Sequence, residues 1–176
     1  MEFILECFLF LLPAAIANMA PVVVKSLPIF NWPVDLGFKF RGQRAFGDNK
    51  TYRGFIFGVL AAVLTIYLQQ KFNLTSQFML PLAETSNWLF LGFLLGFGAL
   101  FGDLLKSFFK RQKGIAAGKS WWFFDQVDWI VGAFVFGAFY IDLGWQQFFV
   151  SLIMFGVLHL IVNYLGYLLK LKANKF

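Results

Sequence analysis

Two long stretches without a single charged side chain, residues 55–68 and 88–101, constrain this chain more than any other feature. A soluble domain of 176 residues would have to hide both stretches, together with further apolar segments toward either end of the chain. Apolar residues make up 60% of the sequence, aromatic residues 21% and charged residues 14%, against about 45–50% apolar and about 25% charged in soluble domains. So much apolar surface belongs in lipid. Because a membrane-spanning helix needs about 20 predominantly apolar residues, about five or six spans are the ceiling. The expected organisation is one transmembrane domain, residues 1–176, with no room for a separate soluble one. The first segment lacks a basic n-region and carries Pro13, Asn18 and Pro21, so it reads as a retained span and not as a cleaved signal peptide. Cys7, the only cysteine, reads as a small packing residue.

Hydropathy and charge together predict an all-α integral membrane protein, a bundle of five transmembrane helices near residues 3–24, 54–70, 86–105, 122–141 and 147–169. The cations fall into alternate connections. Lys25, Lys39, Arg41, Arg44, Lys50 and Arg53 lie in the first loop; Lys106, Lys110, Arg111, Lys113 and Lys119 in or beside the third; Lys170, Lys172 and Lys175 in the tail. Only Lys71 falls on the other side. This bias predicts a multi-pass protein of the cell membrane with basic cytoplasmic loops, the N-terminus outside and the C-terminus inside. Small residues at helical spacing, Gly54/Gly58, Gly92/Gly96, Gly98/Gly102 and Ala133/Gly137, would let helices approach closely.

Most polar residues gather at the expected cytoplasmic ends of the spans. If the third helix continues past the interface, Asp103, Ser107, Lys110 and Arg111 share one face. A carboxylate, a hydroxyl and two cations are the mixture that an anion receptor with a hard cation requires. Lys106 and Lys113 have a simpler reading as topology anchors, whereas an aspartate ending an apolar span is costly unless paired or metal-bound. Asp125 and Asp128, three apart at the start of the fourth span, project from one helical face. Stabilisation by a helix N-terminus accounts for one of them but poorly for both. A divalent cation between them, Mg²⁺ shared with substrate phosphates, is the more economical account.

The run from Arg41 to Gly54 leads a flexible, cationic backbone into a helix N-terminus, a ready anion site. It lacks the spacing of a Walker A loop, and alone it could equally be an ordinary basic loop. Asn18 and Pro21 could place an amide and a freed carbonyl in the first span, or simply kink it. His159 and Asn163, four apart on the fifth span, should point into the bundle as a hydrogen-bonding pair or as part of a site.

At these residues the sequence resembles the CDP-archaeol synthase family, relatives of the phosphatidate cytidylyltransferases. The resemblance runs nearly the whole length. It rests on Asn18 and Pro21, on the loop from Asp35 through Arg41-Gly42 to Gly47-Asp48-Asn49-Lys50-Thr51-Tyr52-Arg53-Gly54, on Gly102-Asp103…Ser107…Lys110-Arg111, and on Asp125-Gln126-Val127-Asp128. Gln112 and Tyr52 stand where the family pattern often has Arg and Trp. The resemblance implies Mg²⁺-dependent transfer of CMP from CTP to an unsaturated archaeal ether-lipid phosphate, 2,3-bis-O-(geranylgeranyl)-sn-glycerol 1-phosphate, in the inner leaflet, with release of pyrophosphate.

On that reading Asp103, Asp125 and Asp128 hold Mg²⁺, Lys110 and Arg111 bind phosphate, and Ser107 donates to a phosphate oxygen. Lys50 and Arg53 clamp the second anion. Asn18, Arg41, Thr51, Gln126, His159 and Asn163 complete the substrate-binding set. No nucleic-acid partner is expected. A cytidylyltransferase acting on phosphatidate or another lipid phosphate remains open on the motifs. A small transporter or channel would spread its polar residues along a whole helix face, which this chain does only at His159 and Asn163.

Overall fold

A computed structural model describes residues 2–74, 87–117, 119, 121 and 124–168, with side chains as far as 158 and at 161 and 164. Five helices are present among them: α1 (Glu2–Val23), α2 (Tyr52–Lys71), α3 (Trp88–Gln112), α4 (Phe124–Gly137) and α5 (Trp145–Leu168). The first three are each long and apolar enough to cross a membrane. α3 runs seven residues beyond its expected end at 105, to Gln112. At 1.5 Å per residue its 25 residues cover about 37 Å, more than a hydrocarbon core of about 30 Å. It is therefore longer than a span needs. α4 is shorter than its expected 122–141. Beyond Gly137 the chain tightens into i→i+3 turns, with Phe139 N bonded to the Phe136 carbonyl and Tyr140 N to that of Gly137.

α3 is the central element and packs against α1, α2 and α4, with α5 against α1 and α4. Leu11, Ile66, Leu91, Leu95, Ala99 and Ile130 form the sealed core between them. Lipid offers no hydrophobic reward for this packing, so close backbone approach must supply it. The expected small residues do so. A Cβ on Gly92 or Gly96 would collide with Ile66 or Ala62 of α2. One on Gly54 would stand 2.9 Å from Pro21 Cβ, and one on Gly58 2.9 Å from the Ala17 carbonyl. Pro21 has no N–H to bond that carbonyl, so the oxygen it frees lies against Gly58. Gly132, absent from the sequence expectation, matters as much: a Cβ there would strike the Gly98 carbonyl, and one on Gly102 the Asp128 carbonyl. Cys7 is buried, as expected of a packing residue.

The segment between α1 and α2 is ordered by its own hydrogen bonds. Strands β1 (Lys39–Phe40) and β2 (Gln43–Arg44) pair antiparallel across Arg41-Gly42. Both turn residues have positive φ, 50° and 79°, as a two-residue hairpin of the type I′ class requires. Behind the hairpin, the Asp35 carboxylate accepts from Arg44 Nε and Nη2, Phe46 N, Gly47 N and Gly37 N. Burial alone would push the Asp35 pKa up, but those donors outweigh it and hold the carboxyl well below the usual range. Val34 N reaches the Lys50 carbonyl at 2.7 Å and Tyr52 N that of Trp32 at 3.0 Å, tying both ends of the segment to the start of α2.

Candidate active site

The extended α3 carries Asp103, Lys106, Ser107 and Lys110 into one place. Because α4 meets α3 through Gly98, Gly102 and Gly132, its first turns bring Asp125 and Asp128 against them. The Lys106 ammonium stands at the centre. Its Nζ lies 2.9 Å from Asp103 Oδ1, 3.0 Å from Asp125 Oδ1 and 2.8 Å from Asp128 Oδ2. Lys50 reaches across from the loop to Asp103 Oδ2, and Lys110 Nζ lies 3.2 Å from Asp125 Oδ1. Three carboxylates thus face three ammonium groups in a low-dielectric pocket, where an unpaired charge would be prohibitive.

The cation that Asp125 and Asp128 demanded is, in this arrangement, Lys106. Its simplest sequence reading is an anchor, yet its spacing of three from Asp103 on a helix is the available signal. Asp125 also accepts from Trp121 N at 2.6 Å, which secures the start of α4. Asp128 Oδ2, only 2.8 Å from the ammonium, is sealed from solvent and has no well-directed hydrogen-bond donor. That oxygen, together with two more carboxylates of a hard-oxygen donor set, fits a cation such as Mg²⁺. Among the described residues no three acids already stand at metal-binding separation, since all three are centred on Lys106. Engaging an ion there requires the ammonium to swing aside.

Other expected site residues fall into distinct groups. Ser107 and Lys110 are buried beside the carboxylates, and Lys110 also donates to the Lys119 carbonyl. Arg111 lies on the rim, with Nη2 on the Ala116 carbonyl at 3.0 Å and its chain against Gly47. Gly47 has φ +93°, so the turn itself calls for a glycine. Thr51 caps α2, accepting from Gly54 N at 3.2 Å, and with Lys50, Asn49 and Asp103 it lines a hollow of about 40 Å³.

Arg53 is buried and donates to the Leu27 carbonyl, where it holds the loop. Arg41 sits in the exposed hairpin turn, its guanidinium 5.4 Å from the centre of the Phe40 ring. The structure does not bring either of these to the carboxylates. Asn18 is half-buried on α1, and Gln126 half-buried on the first turn of α4. His159 and Asn163 lie on α5, but their side chains fall outside the described residues. Sequence reasoning passes over Gly132, reads Lys106 as an anchor, and names Asp35 only within the family-like loop, without its role of organising that loop.

On the other side of the charged centre a groove of about 560 Å³ runs between α3 and α4. Its walls include Phe101, Leu105, Phe109, Phe124, Val131 and Phe136, and Lys106 and Asp128 of the charged centre line it partway along. Leu105, Phe109, Phe124 and Val131 are exposed on the outside of the bundle. The arrangement can therefore present an amphiphile's apolar part to lipid and its polar end to the charged centre.

The whole chain, residues 1–176, matches the family described as CarS-like: CDP-archaeol synthase. It is 36% identical to the CDP-archaeol synthase of Archaeoglobus fulgidus over 98% of this chain and 97% of the relative. It is 39% identical to that of Methanococcoides burtonii over 81% and 89%. A solved structure described as an intramembrane enzyme for archaeal membrane lipid biosynthesis superposes with a TM-score of 0.70 and 30% identity, covering 91% of this chain and 94% of the other. Full-length agreement in sequence and in fold has one reading: the chain belongs to the CDP-archaeol synthase family.

Proposed function

We propose that this enzyme, a CTP-dependent nucleotidyltransferase by family, transfers CMP from CTP to 2,3-bis-O-(geranylgeranyl)-sn-glycerol 1-phosphate at the cytoplasmic face, using Mg²⁺. The observation that carries the reading is the junction of the carboxylate–lysine centre with the apolar groove between α3 and α4. A lipid phosphate needs both. Its phosphate would meet Lys106 and its neighbours while its chains follow the groove walls out into the bilayer. The groove's volume falls within the usual range for small-molecule sites, about 300–1,000 Å³, and the remaining chain length stays in lipid.

The reaction is an in-line displacement. An oxygen of the lipid phosphate bonds to the α-phosphorus of CTP, and the bond from that phosphorus to the bridging oxygen of the β-phosphate breaks, releasing pyrophosphate. The second pKa of a phosphomonoester is about 6, so the nucleophile is already anionic near neutral pH and needs no protein base. The work left to the protein is positioning and charge balance. Lys50, Lys106 and Lys110 are all committed to aspartates, so they are not free to meet two polyanions at once. Asp103, Asp125 and Asp128 would hold Mg²⁺, which supplies positive charge to the triphosphate oxygens and releases the lysines toward phosphate. Arg111 on the rim and Ser107 beneath it would orient those phosphates.

The test is formation of CDP-lipid by purified protein from radiolabelled CTP, with the ether-lipid phosphate and phosphatidate offered separately. Expected is product from the ether lipid, lost when Mg²⁺ is chelated. Product from phosphatidate alone would reassign the acceptor, and none from either lipid would reject the reaction.

A further inference from the structure

The segment joining α1 to α2 exposes a row of large apolar side chains that no packing within the bundle explains. Trp32 is 63% exposed, Leu36 72% and Phe38 63%, with Ile29, Phe30 and Phe40 also exposed. This exposure does not come from a loose chain. The β1–β2 register, the five donors to Asp35 and the backbone bonds to Lys50 and Trp32 carbonyls hold the segment in one shape. A free aqueous loop of this composition would be costly.

We propose that residues 29–41 form a membrane-surface anchor, with Trp32, Leu36 and Phe38 set into the headgroup–acyl boundary on the side of the bilayer that carries the active site. Two further observations point to lipid as the occupant. The first is height. Phe40 and Phe46 pack against Phe108, their ring centres 5.6 Å and 6.5 Å away. Phe108 lies in the last turns of α3, past the about 20 residues that a span starting at Trp88 needs. The hairpin is thereby pinned at the headgroup level, and its exposed apolar row continues that of α1, where Val22 and Val23 are both 76% exposed. The second is charge. Lys39 and Arg41 are exposed between the aromatics, and interleaved cations and aromatic rings suit an anionic headgroup layer.

The anchor has a consequence for the site. The same rigid segment ends in Gly47, against Arg111, and Lys50, on Asp103. Contact with the bilayer would therefore set the height of Lys50 and Arg111 relative to a lipid phosphate.

The experiment places an environment-sensitive fluorophore at single cysteines, Leu36→Cys, Phe38→Cys and Asp48→Cys, in the full chain carrying Cys7→Ala. All three target side chains are outward: the Asp48 side chain is 80% exposed, and neither Leu36 nor Phe38 belongs to the core. Proteins are placed one copy per disc in bilayers of anionic lipid, with and without lipids carrying a quencher near the headgroup. The anchor predicts blue-shifted emission and strong quenching at 36 and 38, several times that at 48, and a smaller shift when the discs contain only neutral lipid. Water-like emission at 36 and 38 in the discs would overturn it. So would shielding that appears only in discs holding two copies, which would assign the surface to contact between chains.

Discussion

Two buried acid centres in this protein are built on opposite plans. Asp35 is met by directed donors: a two-pronged guanidinium and three backbone N–H groups. Asp103, Asp125 and Asp128 share ammonium groups on long, flexible stems, and Asp128 Oδ2 has no well-directed donor. Backbone donors cannot leave without unfolding the segment, whereas a lysine can rotate away and back. The first plan makes a joint. The second makes a site whose charges can be redistributed when polyanions arrive.

The contrast is broken most severely by exchanging which centre controls what. Asp128→Asn should lower CMP transfer by at least about 100-fold, the scale seen when one electrostatic group is taken from a reacting centre. Its thermal unfolding should fall by less than that of Asp35→Asn, because Lys106 keeps Asp103 and Asp125 as partners. A large loss of stability in that variant would make the centre a joint after all. Asp35→Asn should do the reverse, lowering stability by about 3 kcal/mol through unpaired buried donors, as read from unfolding in detergent.

Acid sharpens the same distinction. The Asp35 carboxyl titrates well below its unfolded value, so its contribution is complete above the ordinary aspartate pKa of about 3.9. It is lost as pH falls from there toward the lower folded pKa. Unfolding temperatures measured downward from pH 5 should therefore drop more steeply in the parent than in Asp35→Asn. Parallel curves would remove Asp35 as the acid-sensitive joint.

The gentlest probe is the helix contact that assembles the second centre. Gly102→Ala places a methyl group against the Asp128 carbonyl and should cost about 1–3 kcal/mol while shifting Asp128 from Lys106. Gly156→Ala, where an added Cβ meets nothing within 4 Å, should change stability by less than about 0.5 kcal/mol.

Much of the fold could be read because its signals are local. Apolar runs marked four of the helices to within a few residues, and α3 lengthened because nothing in residues 105–112 breaks a helix. α4 fell short because the chain turns after Gly137, where apolar composition carries no stop signal. In the site, the periodic spacing of Asp103, Ser107 and Lys110 on one helix, and of Asp125 and Asp128 on another, told which side chains could share a face. It could not say that Arg53 would be spent on the Leu27 carbonyl or that Arg41 would cap a hairpin. Both are cations in a basic loop, and hydrogen bonding to distant backbone leaves no mark on spacing.

By itself the sequence determined that this chain lives in a membrane, which segments cross or approach it, and that acids and cations collect at one end of them. Hydropathy and helical period act over a few residues, so they survive in the bare order of amino acids. Only the tertiary structure decided that Lys106 stands among the three aspartates and that an apolar groove opens beside them. Those outcomes depend on how closely α3 and α4 approach through Gly98, Gly102 and Gly132, a distance set between elements far apart in the chain.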